Sequence, residues 1–455
     1  MPSSPPEIEK PDITRDDTQA AVSQAKWSDL YKQEDWWAVW IGLLLLGTVF
    51  SGLVQVVPKM PKWEGVDLLS ALPLEFIPQL ALLAIGLGIM FTLGNVVMKG
   101  QKGLDIAPGF VVIFLLAIFA YMLGNSQTAK AINLGYAFWA LLIGLAISNT
   151  IGTPRWLLNA ARTEYYIKTG LVILGAEILF SRIVEFGPYG LAIAWLVTPT
   201  VILFMYFFGT RILKMKQKTL VMVVATATSV CGVSAAIAAA AACRAKKYEL
   251  TLAVGMTLIF TVIMMVVMPL FVKAVGMPEL ISGAWLGGTI DATGAVVAAG
   301  ETVGELAGKS AALVKMIQNM LIGVIAFAIA ASWVMFVDRQ PGAPRPGFGE
   351  LWIRLPKFIL GFVAASLLAS FVFIPLMGMD TVRDFLSQTK NYRGWLFCMA
   401  FLSIGLESNF RELGSQFQGG KPMILYIVGQ SFNLIITLLV AWLALSGTFF
   451  PVPQL

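Results

Sequence analysis

The stretch "WLGGTIDATGAVVAAG" (residues 285–300) decides how the rest of the chain reads, because it sets one carboxylate, Asp291, among residues that are otherwise apolar or small. Gly287, Gly288, Thr289, Thr293 and Gly294 crowd around it, so helix propensity is low just where the charge sits. A carboxylate in hydrocarbon costs at least about 2–3 kcal/mol, and it persists only inside protein or beside a water-filled cavity. The surroundings of Asp291 must therefore be a membrane interior with something built around the charge.

Composition agrees. Hydrophobic residues make up 58% of the 455-residue chain, charged residues 13%, and the mean hydropathy is +0.79. Apolar segments lie at 37–57, 72–98, 108–124, 133–152, 164–181, 189–213, 218–243, 249–276, 279–300, 309–337, 351–377, 393–412 and 422–450. Most are long enough to cross about 30 Å of hydrocarbon. The expected fold is an all-α polytopic membrane protein with about 11–13 transmembrane helices. Segments 218–243 and 279–300, rich in Gly, Ala, Ser and Thr, read as broken or re-entrant.

Residues 1–36 are polar and proline-bearing, and read as a flexible, interfacial cytoplasmic tail rather than a signal peptide. Residues 37–455 read as one transmembrane domain in two inverted halves, joined near "RQPGAPRPGFGELWIRLPK" (339–357). Lys and Arg favour the loops on the amino-terminal side, which places the N-terminus in the cytoplasm of a bacterial-type cell, the chain lying in its inner membrane.

Two short segments resemble each other. "LGAEILFSRI" (174–183) and "IGLESNFREL" (404–413) superpose Gly175, Glu177 and Phe180 on Gly405, Glu407 and Phe410. The helices before them match more loosely, "LLIGLAISN" (141–149) against "FILGFVAAS" (358–366). Leu-rich helices also match by chance, but these lie an odd number of spans apart. The copies then run in opposite senses, as in the inverted repeats of secondary transporters, whose substrate sits at the midplane where broken helices meet.

Histidine is absent, which excludes His-ligated haem, HExxH zinc chemistry and Ser-His-Asp or Cys-His nucleophilic catalysis. Cys231, Cys243 and Cys398 have no CxxC spacing. An intramembrane aspartyl protease needs two aspartates, and only Asp291 qualifies. No enzyme, cofactor or metal is expected. The net charge of +6 resides in loops between spans, so no nucleic-acid partner is expected either.

Substrate and ion-binding candidates fall in three groups. Around 226–247, Ser229, Cys231, Gly232 and Ser234 precede an Ala-rich helix; a break there would aim free N–H groups at an anion, whereas the plain alternative is close helix packing with back-bonded hydroxyls. Around 287–319, Gly288, Thr289, Asp291 and Thr293 are followed by Lys315, Gln318 and Asn319. Asp291 is a proton or cation site, a substrate contact, or the structural partner of Lys315; Lys315 binds an anion, holds Asp291 ionised, or snorkels to the interface. Glu177 and Glu407, each with an arginine close behind (Arg182, Arg411), are structural ion pairs or symmetrically placed proton carriers.

At these segments the chain resembles the YeiH-type sulfate exporter family. The resemblance is carried by "YYIKTGLVILGAEI" (165–178), "TSVCGVSAAIAAAAACRAKKYE" (228–249), "GGTIDATGAVVAAG" (287–300), "AALVKMIQNML" (311–321) and "AFLSIGLESNF" (400–410), in the family's order. It implies kinship with the cation:proton antiporter and anion transporter superfamily, and with it two inverted repeats, crossing broken helices, elevator-type alternating access and a homodimer. Where the family pattern has His and then an acid and Gln before "VVAAG", this chain has Asp291 through Ala295; where it has Arg, this chain has Gln318. Sulfate is thus a family label, and the expectation is a secondary transporter of a small anionic solute, such as a sulfonate or organic acid, coupled to H⁺ or Na⁺. A cation:proton antiporter and a non-transporting scaffold or sensor are the alternatives.

Overall fold

Backbone in lipid must satisfy its own N–H and C=O groups, and each apolar segment does so as helix. The computed structural model describes residues 27–64, 71–131, 135–333, 355–409, 420–453 and 455. Most of the expected tail and of the 339–357 connection, together with Phe410 and Arg411, lie outside the described residues.

The principal helices are α1 (Glu34–Phe50), α2 (Ile77–Lys99), α3 (Ile106–Asn125), α4 (Tyr136–Thr150), α5 (Thr163–Glu177) and α6 (Phe180–Ile212). There follow α7 (Lys218–Ser229), α8 (Gly232–Cys243), α9 (Lys247–Val275), α10 (Glu279–Thr289) and α11 (Thr293–Val303). The chain continues through α12 (Glu305–Ser332), α13 (Lys357–Met377), α14 (Met379–Glu407) and α15 (Lys421–Leu445). Among the described residues seven helices are long and apolar enough to cross a membrane, and no strand is formed. This is an all-α, multi-pass membrane protein.

The two segments of low helix propensity are the ones that break, and each folds back on itself. At the first, Val230 leaves helical geometry and Gly232 takes a left-handed φ of 29°. Cys243 Sγ at the end of α8 reaches the Thr219 carbonyl at 4.0 Å, while the Thr219 hydroxyl donates to Glu249 at 2.9 Å. The start of α7 and the end of α8 therefore lie at one level, and α7–α8 is a re-entrant hairpin. At the second, Glu279 at the start of α10 accepts from the Leu306 and Ala307 N–H groups at 3.1 and 3.3 Å, just beyond the end of α11. So α10–α11 is also a hairpin.

Helix α12 fixes their relation. Gly283 and Gly287 of α10 back onto Ala307 and Ala311, whereas Thr293 at the start of α11 is bonded from Asn319. Hence α10 runs with α12 and α11 against it. The α7–α8 tip is bonded from Lys315 and Gln318 of the same helix, and the body of α8 packs beside Leu321, Ile325 and Ile329. The hairpins enter from opposite faces and meet near Lys315 and Asn319, roughly 15–20 Å from either end of α12 at 1.5 Å per residue.

The resembling segments lie antiparallel. Thr163 at the start of α5 donates to Glu407 at the end of α14 at 3.0 Å, and Arg393 within α14 reaches back to Glu177 at the end of α5. Their glycines are the contact points. Gly175 leaves room for the Phe362 carbonyl of α13, and Gly405 for α4, where a Cβ would stand 2.5 Å from the Leu141 carbonyl. Ser148 Oγ donates to the Gly405 carbonyl at 2.8 Å, and Ser366 Oγ to the Ile178 carbonyl at 2.6 Å. Each copy's glycine thus packs on the helix that precedes the other copy.

Candidate functional site at the meeting of the two hairpins

Four helix ends converge where the hairpins meet: the carboxyl ends of α7 and α10 and the amino ends of α8 and α11. Every helix end leaves backbone groups unpaired, and in a membrane interior these need partners. The carboxyl ends have them. Lys315 Nζ donates to the Val230 carbonyl at 2.7 Å; Gln318 Nε2 donates to the Ser229 carbonyl at 2.8 Å and to that of Gly288 at 3.3 Å. From α15, Gln430 Nε2 donates to the Thr289 carbonyl at 2.8 Å and Asn433 Nδ2 to that of Thr228 at 3.4 Å.

The amino ends differ. Among the described residues α8 and α11, like most helices of this chain, have no side-chain cap at the N-terminus. Cys231 and Thr293, the residues at these two starts, lie 3.7 Å apart (Sγ to Oγ1). Both line a cavity of about 330 Å³ that also touches Ser234 and Asn319, and that opens past Lys168, Lys357 and Asp35. Positive dipole ends and spare N–H donors thus face one cavity, while the negative ends are covered by side-chain donors.

The predicted residues accordingly separate into two sets. Cys231, Ser234, Thr293 and Asn319 reach the cavity, Gly232 beginning α8 beside them; Asn319 Nδ2 donates to Thr293 Oγ1 at 3.1 Å, and its Oδ1 has no partner among the described residues. Ser229, Gly288, Thr289, Lys315 and Gln318 do not line the cavity. The hydroxyls of Ser229 and Thr289 bond back to their own helices at 2.6 Å, as the packing alternative expects. The pairing of Lys315 with Asp291 does not occur: Lys315 Nζ is occupied by Val230 and by Gln318 Oε1 at 2.5 Å, and among the described residues no ion pair joins it to Asp291. The carbonyls freed by the break took the lysine that the sequence offered to the carboxylate.

Asp291 is 1% exposed and accepts a hydrogen bond from the Tyr426 hydroxyl through Oδ2, while Oδ1 has no partner among the described residues. Tyr426 is stacked on Phe260, ring centroids 4.5 Å apart, and Gly232 brings its backbone against Asp291, where a Cβ would stand 3.6 Å from the aspartate Cβ. The carboxylate is therefore held by α15 at the tip of α10–α11 rather than lining the cavity.

Glu177 and Glu407 part company. Glu177 meets Arg393, not Arg182: the guanidinium holds it through two hydrogen bonds of 2.8 and 3.1 Å and also reaches Glu301 at 2.5 Å. Arg182 pairs with Glu185 instead. Arg411, the expected partner of Glu407, lies outside the described residues. Glu407 lines a second cavity of about 560 Å³, with Thr163 and Arg162.

Sequence reasoning missed Arg393, Thr198, whose hydroxyl accepts from Gln318 Nε2 at 3.2 Å, and the polar stripe of α15. That stripe had a signal: Tyr426, Gln430, Asn433 and Thr437 recur every three or four residues in an otherwise apolar helix, which puts them on one face.

Three comparisons place these features among known chains. A family model described as "Conserved hypothetical protein 698" matches residues 108–426. The chain is 50% identical to a UPF0324 membrane protein of Rhodopirellula baltica over 77% of its own length and 65% of the relative's. Two relatives in Nitratidesulfovibrio vulgaris, also 50% identical, are matched over 64% and 66% of their length, so this chain spans just under two thirds of these relatives. A UPF0324 membrane protein of Nitrosomonas europaea is 30% identical over 95% of this chain and 99% of its own, and one named TauZ from Paracoccus pantotrophus is 29% identical over 72% and 92%. No solved structure matches the chain.

Proposed function

This chain belongs to the UPF0324 family of membrane proteins, the YeiH type, and from that premise we propose that it is a secondary active transporter of a small anionic solute: a sulfate-like ion, a sulfonate or an organic acid. One observation carries the reading. The two uncapped helix N-termini face a common cavity, while the carboxyl ends beside them are covered by Lys315, Gln318, Gln430 and Asn433. A site with its donors free and its acceptors occupied selects negative charge.

The cavity's volume suits a small solute, and its polar end holds Cys231, Ser234, Thr293 and Asn319 as contacts. Basic residues crowd the face on which it opens, Lys214, Lys216, Lys218, Arg244 and Lys246 among them, so that face is cytoplasmic and the chain rests open inward. Antiparallel α5 and α14 with their interchanged glycine contacts support two inverted halves, which exchange access by an elevator-type movement coupled to H⁺ or Na⁺. In this reading Gln318, bonded to the Ser229 and Gly288 carbonyls, holds the hairpin tips together, and the unit works as a homodimer in a bacterial inner membrane.

Proteoliposomes containing the purified chain test this with labelled sulfate, sulfite, two-carbon sulfonates and small carboxylates. Saturable uptake of at least one anion is expected. Collapse of an imposed pH gradient by Na⁺ or K⁺ pulses without any anion would make the protein a cation:proton antiporter instead, a reading favoured by Asp291 Oδ1, which has no partner among the described residues.

A further inference from the structure

The second cavity is unused by the solute route just described. It opens beside Glu34 of α1, on the same face as the first, and reaches Glu407, the last residue of α14. Its charges come from every wall. Glu34 is paired with Arg162, which precedes α5, and Glu164 in the first turn of α5 with Lys168 at 3.5 Å. Lys99 ends α2 and Asp105 precedes α3.

Glu407 stands apart. Among the described residues it has no ion pair, and it accepts a single hydrogen bond, from the Thr163 hydroxyl at 3.0 Å. It also sits at the carboxyl end of a helix of 29 residues, where the dipole repels negative charge. An independent feature marks the cavity as a place where something binds: Asn95, 3% exposed, lines it and donates to the Gly103 carbonyl at 2.9 Å, but its Oδ1 has no partner among the described residues. The cavity also touches the solute site from behind. Gly294, in the first turn of α11, packs against Thr163 and Ile404, and a Cβ there would stand 3.6 and 3.3 Å from them.

We propose that Glu407 takes up the coupling proton through this second cavity, by a route separate from that of the solute. The proton binds a carboxylate oxygen to give the neutral acid, and its release on the other face restores the anion. Charge on Glu407 is then sensed at the start of α11 through Thr163, which both bonds the carboxylate and packs on Gly294. The inference rests on the transporter reading and assigns its coupling ion and carboxylate.

The test uses the full-length protein in proteoliposomes and dicyclohexylcarbodiimide, a hydrophobic reagent that adds to protonated carboxyls. Mass spectrometry is expected to find the adduct on Glu407 and to see its yield fall as the pH is raised, because only the protonated carboxyl reacts. No adduct on Glu407 at any pH, or a yield indifferent to pH, overturns the proposal whatever the solute is. Transport separates the two readings. With a transported anion as probe, E407Q is expected to keep anion counterflow and lose at least tenfold of the uptake driven by a pH gradient. Gradient-driven uptake at the wild-type rate in E407Q would sink the proton site alone, whereas wild type moving no anion would sink the transporter reading.

Discussion

Replacing Gly405 by alanine tests the seam between the two antiparallel copies. A methyl group there would stand 2.5 Å from the Leu141 carbonyl oxygen and 2.6 Å from the Leu145 nitrogen, both backbone atoms of α4. That is about 1 Å closer than a comfortable contact of ~3.5 Å, and backbone cannot rotate away, so the two helices must part. Overpacking of this kind costs about 1–3 kcal/mol. Parting also stretches the hydrogen bond from Ser148 Oγ to the Gly405 carbonyl, 2.8 Å, worth about 0.6 kcal/mol on the scale measured within membranes. Against these stands alanine's better helix propensity, about 1 kcal/mol. The balance is a loss of about 0.5–2.5 kcal/mol. Gly86→Ala is the control, because a Cβ on Gly86 meets nothing within 4 Å; it should be neutral or stabilising. Thermal unfolding of both variants in detergent, followed by tryptophan fluorescence, reads the difference. A G405A protein that melts with or above wild type would refute the close-packed seam, and with it the structural meaning given to the repeated glycine.

Other expectations are as specific. Arg393→Met leaves Glu177 buried without its cation and should destabilise by about 3–5 kcal/mol; E177Q in the same chain should recover part of the loss in a thermal melt. Tyr426→Phe removes the hydrogen bond that Asp291 accepts and should cost about 1–3 kcal/mol, a loss that D291N reduces if the buried charge is its source. Gln318→Leu uncovers the Gly288 carbonyl and should loosen the tips, seen as faster amide hydrogen exchange in α7 and α10 than in α2.

Much of this fold was legible because hydropathy and helix propensity are local properties. Each apolar segment became mainly helix where it is described, and the two breaks fell where Gly, Ser and Thr gather, at Val230–Cys231 and Ile290–Ala292. Whether a broken segment crosses or returns was not legible. It depends on long-range contacts such as Cys243 with Thr219 and Glu279 with Leu306, to which no local pattern points. The same limit hid the partner of each charge. Lys315 and Asp291 are close in sequence and share one depth, so pairing them was reasonable, yet carbonyls exposed by the breaks compete for the ammonium, and Tyr426 arrives from a helix far along the chain. The cavity residues Cys231, Ser234 and Thr293 were named from sequence because they flank the breaks, and Asn319 because it follows Lys315 inside a span; that side chains would cover only the carboxyl ends required the fold.

The central claim, that the uncapped amino ends of α8 and α11 hold an anion, is most directly tested at Cys231, which lines the cavity while Cys243 and Cys398 are buried. The measurement is the rate at which a membrane-impermeant maleimide labels Cys231 in inverted membrane vesicles, with and without sulfate or ethanesulfonate, C231A being the blank. Bound anion should protect Cys231, slowing labelling at saturation by at least tenfold, and Na⁺ or K⁺ as chloride should not. Labelling that no anion slows, or that only a cation slows, would contradict an anion site at the hairpin tips.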